Sequence, residues 1–263
     1  MLLKDKIVII SGIGPGLGVK LAVEAAREGA KALAISARTA EKLDDAEARI
    51  REVAPACKVL KVPTDIRQAD QCRRLVEATK KEFGRIDALV NSGFYWGNPS
   101  TAAEADLGNW KEIYETNLVG TMSMIQAIVP VMKTQKGGSI VNISTMATIK
   151  PHTGEAGYAA SKGALNVATK YLATELGEFG IRVNVVRMGW MDGVPVRTYM
   201  AHASKEHGIQ EKQLYDQIAA NIALKRLVTD DECARAALFM ASDYSSAITG
   251  VALDANGGES MPS

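Results

Sequence analysis

Short β-branched, apolar runs alternate with amphipathic stretches along the whole chain, and this alternation limits the folds open to it. Ile7-Val8-Ile9-Ile10 is the first run, too short for a buried helix and followed at once by glycines. Similar runs fall at 31–36, 59–62, 86–91, 139–144, 181–187 and 248–253. Between them lie helical patterns: 17–28, 40–53 with Thr39 as its cap, 67–83 with Gly84 as its stop, 107–132, 157–177 and 230–241. Residues 195–223 read as an irregular, partly helical excursion. Fully apolar strands alternating with amphipathic helices predict an α/β protein with a doubly wound parallel sheet, about seven strands, and helices on both faces. No linker or repeat divides the chain, so the expectation is one nucleotide-binding domain over 1–263, with a substrate loop or lid at about 190–225. Ligands on such a sheet bind beyond the carboxyl ends of the strands.

Composition excludes several other classes. The 263 residues are 47% hydrophobic and 23% charged, which is too apolar for a disordered chain. Thirty-one Lys and Arg against thirty Asp and Glu give a net charge of +1, with no global pull toward nucleic acid or an anionic membrane. Cys57, Cys72 and Cys233 lie far apart, and His152, His202 and His207 lack ligand spacing, so no metal site is expected. No apolar run reaches the length of a membrane span, and the first residues lack a signal-peptide core. The expectation is a cytoplasmic protein with unpaired thiols.

The first strand leads into Ser11-Gly12-Ile13-Gly14-Pro15-Gly16-Leu17-Gly18, which opens the first helix. Glycines let the backbone approach a pyrophosphate, and the helix N-terminus offers N–H groups and partial positive charge. The second strand ends in Ile35-Ser36-Ala37-Arg38-Thr39. A carboxylate there would bind a ribose 2′-hydroxyl and repel a 2′-phosphate. Arg38 stands instead, a charged fork suited to phosphate, so NADP(H) is favoured over NAD(H).

Tyr158-Ala159-Ala160-Ser161-Lys162 lies near the start of a predicted helix, and i, i+4 spacing puts both functional side chains on one face. A neighbouring ammonium favours the phenolate, which would tune a tyrosine for acid–base work on a carbonyl. Ser144 and Thr145 end the fifth strand, Asn91-Ser92-Gly93 ends the fourth, and Asn117 lies on the helix between them.

Taken in order, these motifs resemble the short-chain dehydrogenase/reductase family, over essentially the whole chain. The resemblance implies a Rossmann-like fold and a hydride-transferring oxidoreductase acting on CH–OH groups. It implies cofactor contacts at Gly12, Gly14, Gly16, Leu17, Gly18, Arg38, Asp65, Ile66, Asn91, Gly93, Tyr158, Lys162 and Gly189. It implies catalytic roles for Asn117, Tyr158 and Lys162, with Asn117 steadying a water that links Lys162 to solvent. Asn256-Gly257-Gly258 resembles the family's C-terminal turn. The family's catalytic serine, thirteen positions before the tyrosine, is matched by Thr145, with Ser144 as the alternative. Two positions depart from the family: Met188 stands for a proline after the sixth strand, and Gly193 for a threonine that donates to the cofactor.

Phe94, Trp96, Met146 and Trp190, with Tyr199, fall in loops beyond the strand ends and suggest a pocket for a bulky or apolar ketone or alcohol. The stretch 122–132 is nearly uncharged, which is consistent with burial in the core or in a homotetramer or homodimer interface. A 3-oxoacyl-thioester reductase and a nucleotide sensor without turnover are the alternatives to a ketone reductase or alcohol dehydrogenase.

Overall fold

β1 (Ile7–Ser11) is buried along its full length, and its side chains divide between two faces. Val8 and Ile10 join one apolar cluster while Ile9 joins the other, as the two-residue period of a strand requires. The structure, a computed structural model, describes residues 1–261. Around β1 the sheet runs in the order β3-β2-β1-β4-β5-β6-β9, with every pair parallel. The further strands are β2 (Ala32–Ser36), β3 (Lys58–Lys61), β4 (Ala88–Asn91), β5 (Gly138–Thr145), β6 (Ile181–Met188) and β9 (Ala252–Ala255). β7 (Met191–Asp192) and β8 (Val228–Thr229) form a separate parallel pair.

The helices cover both faces. α1 (Leu17–Arg27), α2 (Ala40–Val53) and α9 (Asp230–Ala241) pack on one side, through Leu21, Leu43, Ile50 and Leu238 among others. α3 (Ala69–Phe83), α5 (Thr121–Gln135) and α6 (Ala156–Leu176) pack on the other, through Leu75, Ile125, Ile128 and Leu176. The seven-stranded doubly wound sheet is therefore as expected. Cys57, Cys72 and Cys233 are free and buried.

The structure corrects four local expectations. The stretch 107–132 is not one α-helix. α4 (Leu107–Tyr114) passes into a π turn at Glu115–Gly120 before α5 begins, and Gly120 lies against Ile66 with no room for a side chain. The stretch 195–223 is not irregular. It holds α7 (Val194–His207) and α8 (Glu211–Ala220), which begins with a capping box between Gln210 and Gln213. Here Ile222, Leu227 and Ala219 form a small third cluster with Trp190 and Tyr215. The last strand starts at Ala252 instead of 248, because Gly250 turns at positive φ and the Ile248 carbonyl accepts from Arg182 and Asn184 side chains. Finally, Thr39 takes the N-cap position of α2 without a side-chain capping bond.

Candidate active site

The carboxyl ends of β1 and β4 meet at two glycines. Gly12 turns at positive φ, and a side chain on it would strike the backbone of Gly93. A side chain on Gly18 would strike the Gly12 carbonyl, so α1 starts as close to β1 as the backbone permits. Gly14 faces open space. No side chain caps α1, and no acidic residue lies in its first turn. Ser11 Oγ and Asn91 Oδ1 are buried beside this turn without a partner. An uncapped helix end, two orphaned polar atoms and a cradle only glycine can line suit the diphosphate of a dinucleotide. Asn91 also ties the sheet together: its Nδ2 donates to Asn142 Oδ1 at 2.9 Å, and Asn142 donates to Thr169 at 3.0 Å.

Arg38 is exposed just past β2 and makes no ion pair among the described residues. Asp65 is clasped by Arg67, whose Nη2 lies 2.6 Å from Oδ2 and whose Nε is 3.0 Å from Oδ1. These bonds, with the field of Arg38 adding to them, hold the Asp65 carboxyl below its usual range. Arg67 went unremarked at the sequence level, where Asp65-Ile66-Arg67 offered only a short charged pair. Ile66 packs under Gly93 and Gly120, closing the floor between β4 and the π turn.

Tyr158 and Lys162 lie on the first two turns of α6, which reaches the carboxyl end of β5. Lys162 is 2% exposed, and its Nζ donates to the Ile143 carbonyl at 2.8 Å. That bond leaves ammonium donors to spare, and burial lowers the Lys162 pKa to about 8. Tyr158 is half-buried, its ring 6.1 Å from that of Phe94. Its phenol is pushed up from the ordinary value by burial, with Glu155 adding to the effect. The lysine spacing predicts a lowering; in the chain alone burial raises the phenol instead. Glu155, itself raised by burial, is a neighbour that sequence reading passed over.

Thr145 and Ser144 end β5 on opposite faces of the sheet. Thr145 is half-buried at the rim, and its Oγ1 accepts from the Ala147 amide at 3.2 Å. Ser144 is 2% exposed, and its Oγ has no partner. Asn117 sits in the π turn, fully buried. Its Nδ2 donates to the Tyr95 carbonyl at 2.9 Å and to Ser161 Oγ at 3.0 Å, and its Oδ1 accepts from the Tyr95 amide at 2.7 Å. Ser161 in turn donates to the Tyr158 carbonyl at 2.7 Å. One side chain thus ties the loop after β4 to the turn of α6 that carries Tyr158 and Lys162.

The aromatic loops gather unequally. Trp190 lies 5.7 Å from Tyr199 between centroids and meets the ring of His152 edge-on at 6.3 Å. Met146 is buried beside Gly189, which in turn lies against Asn256. Phe94 and Trp96 are exposed; Phe94 faces Tyr158, and Trp96 has no ring partner among the described residues. His152 Nε2 is buried without a partner. His202 is exposed, and the side chain of His207 lies outside the described residues. Among the described residues no cluster could hold a metal ion, and no helix is long and apolar enough to cross a membrane. A hollow of about 510 Å³ at the opposite, amino ends of β5 and β6 is crossed by the Lys6–Asp243 ion pair, so it is no rival to this crevice.

The fold and this crevice define a dinucleotide-dependent oxidoreductase class, and the comparisons agree. Residues 12–260 match the family described as enoyl-(acyl carrier protein) reductase. A 3-oxoacyl-[acyl-carrier-protein] reductase of Thermotoga maritima is 33% identical over 261 residues, covering 98% of this chain and 99% of its own. A 3alpha-hydroxysteroid dehydrogenase of Mediterraneibacter gnavus is 32% identical over 264 residues, covering 98% of each chain. Among solved structures, L-sorbose reductase from Gluconobacter frateurii, complexed with NADPH and L-sorbose, superposes with a TM-score of 0.91 at 27% identity, covering 98% of both chains. NAD+-bound xylitol dehydrogenase superposes at 0.89 and 26%, covering 98% of this chain and 100% of the other. The chain belongs to the short-chain dehydrogenase/reductase family. It is an oxidoreductase acting on CH–OH groups.

Proposed function

We propose that this protein is an NADP(H)-dependent oxidoreductase acting between the nicotinamide and a bulky or apolar ketone or secondary alcohol. The observation that carries the reading is the juxtaposition of Tyr158, half-buried against Phe94, with Lys162, buried one turn on and bonded within the chain to a single carbonyl. A nicotinamide bound in the crevice supplies or takes the hydride. Tyr158, held neutral by burial, donates its phenolic proton to the carbonyl oxygen as charge develops there, or takes one back in oxidation. Lys162 places its spare N–H donors and its charge beside the phenol and stabilises the phenolate left behind. Thr145, half-buried at the rim, holds the substrate oxygen; its exposure favours it over the alternative, Ser144, which is 2% exposed on the other face of β5. Asn117 holds the Tyr95 loop against α6 and fixes the geometry of the pair.

Arg38 supports the NADP(H) preference, because it is an unpaired cation at the adenosine end while Arg67 neutralises the Asp65 carboxylate nearby. Trp190, Tyr199 and Phe94 support an apolar substrate, with α7 and α8 covering it as a lid. A second reading, reduction of a 3-oxoacyl thioester, draws on the matched family and the Thermotoga maritima relative. The chain is further proposed to be a cytoplasmic homotetramer or homodimer in a single-domain architecture. The deciding experiment pairs NADPH oxidation over a panel of aryl ketones, cyclic ketones and 3-oxoacyl thioesters with the Tyr158→Phe variant. Turnover on a ketone that falls by about 10²–10⁴ in the variant, with NADPH affinity retained, is the expected result. Wild-type turnover in the variant, or turnover confined to thioesters, would overturn the first reading.

A further inference from the structure

Asp230 is the first residue of α9 and is 4% exposed, yet its Oδ1 has no hydrogen-bond partner. Its carboxylate fills the space that a side chain at residue 193 would occupy: a Cβ on Gly193 would collide with both oxygens and Cγ. Gly193 has an extended backbone, φ −141, that any residue adopts. The glycine is therefore demanded by the carboxylate and not by the turn.

The surroundings place the segment that covers this carboxyl at the edge of the crevice. Two residues on, the Pro195 ring lies 3.1 Å from where a Cβ on Gly16 would stand, so the 193–195 segment lies over the glycine turn. Three residues back, Trp190 faces His152 near the start of α6. A dinucleotide with its diphosphate at Gly16 and its reactive ring at Tyr158 would pass beside this segment, which touches the glycine turn through Pro195. We infer that Asp230 is a cofactor-binding residue, whose Oδ1 accepts a hydrogen bond from the carboxamide N–H of the nicotinamide and so fixes which face of the ring meets the substrate. The inference rests on the dinucleotide reading above. A buried acceptor left without a donor is costly, and a primary amide is the donor that the nicotinamide ring carries. The charged groups facing Asp230 are Lys20 from α1, Asp231 on its own helix, Asp192 from β7, and Arg197 of α7, which is paired to Asp192 at 2.7 Å. None of them bonds to Oδ1.

The test compares ligands with and without the nicotinamide end. Dissociation constants of NADPH and adenosine 2′,5′-bisphosphate, and in parallel of NADH and ADP, are measured calorimetrically for wild type, Asp230→Ala, Asp230→Asn and Gly193→Ala. Asp230→Ala is expected to weaken NADPH by about ten- to a hundredfold and leave the bisphosphate within about twofold. Asp230→Asn, whose amide oxygen still accepts, recovers most of the loss. Gly193→Ala, which displaces the carboxylate, reproduces it. The reduced acetylpyridine analogue, with a carbonyl but no amide N–H, binds wild type and Asp230→Ala alike. Melting curves without ligand confirm folding. Equal losses for dinucleotide and fragment, no loss at all, or an equal loss for the analogue would each overturn the inference. Tighter NADH than NADPH would sink the cofactor preference alone, since the nicotinamide-dependent difference would still be read in the NADH and ADP pair. Failure of wild type to bind either dinucleotide would sink both.

Discussion

Lys162 is a charge the fold holds at a cost. Its ammonium is buried with one carbonyl for company, and its pKa falls from 10.5 to about 8. Between those values the unfolded chain binds more protons than the folded one, so stability rises with pH through this window; below it the full cost applies, roughly 3 kcal/mol. Lys162→Met, similar in length and uncharged, should therefore melt higher than wild type at neutral pH and lose the rise in stability above pH 8, while losing turnover. Urea titrations at several pH values check this; a less stable variant would show that the ammonium is a structural tie. Arg38 makes the opposite kind of prediction, because it is exposed and costs the fold nothing. Arg38→Glu should weaken NADPH by about ten- to a hundredfold and leave NADH nearly unchanged, measured by nucleotide fluorescence, with no change in melting temperature.

The elements show what a sequence of this kind discloses and what it withholds. β1, α1 and the glycine turn were legible because each reports locally: a β-branched run, a helical period, and glycines where only backbone fits. The π turn at Glu115–Gly120 was not, because its residues would suit an ordinary helix; the reason lies far off in sequence, where Ile66 crowds Gly120 and Tyr95 engages Asn117. Asp230 was invisible for the same reason. Nothing in Thr229-Asp230-Asp231-Glu232 says more than a capped helix start; only the sheet topology brings Gly193 against it. Tyr158 and Lys162 are legible from their spacing, yet the rise of the tyrosine pKa is not, since burial depends on residues such as Phe94 that arrive from elsewhere in the chain. The π turn carries its own prediction. Asn117→Ala removes the tie between the Tyr95 loop and Ser161, so amide exchange should quicken around residues 94–97 and at the start of α6. Stability should drop by about 1–3 kcal/mol and kcat should fall more than affinity for nucleotide. Unchanged exchange at both segments would show that the loop is held by other contacts.

At the scale of the whole molecule, the crevice is made by the meeting of parts no single element supplies. α5 is apolar almost all round, and the structure divides its surface. Met124, Ile125, Ile128 and Met132 are in the core, while Met122, Val129 and Val131 are only partly covered. Next to it, Val167 on α6 is 55% exposed and Tyr171 67%, with Val119 of the π turn also exposed. An apolar strip left open on α6 and the π turn packed against it is the kind of surface a second copy covers. α6 also carries Tyr158 and Lys162 in its first two turns, so an assembly through this strip would put the interface and the catalytic pair on one rigid element. The double variant Val167→Glu, Tyr171→Glu places two carboxylates in that strip, more than a turn from Lys162. Light scattering should then show a smaller species than wild type. Because Tyr158 is held by Asn117 and Ser161 within one chain, NADPH affinity should change by less than about threefold. An unchanged particle mass would move the interface to another face. A smaller particle that also lost nucleotide affinity would show that the partner's pressure on α6, and not the chain's own bonds, sets the catalytic end of the helix.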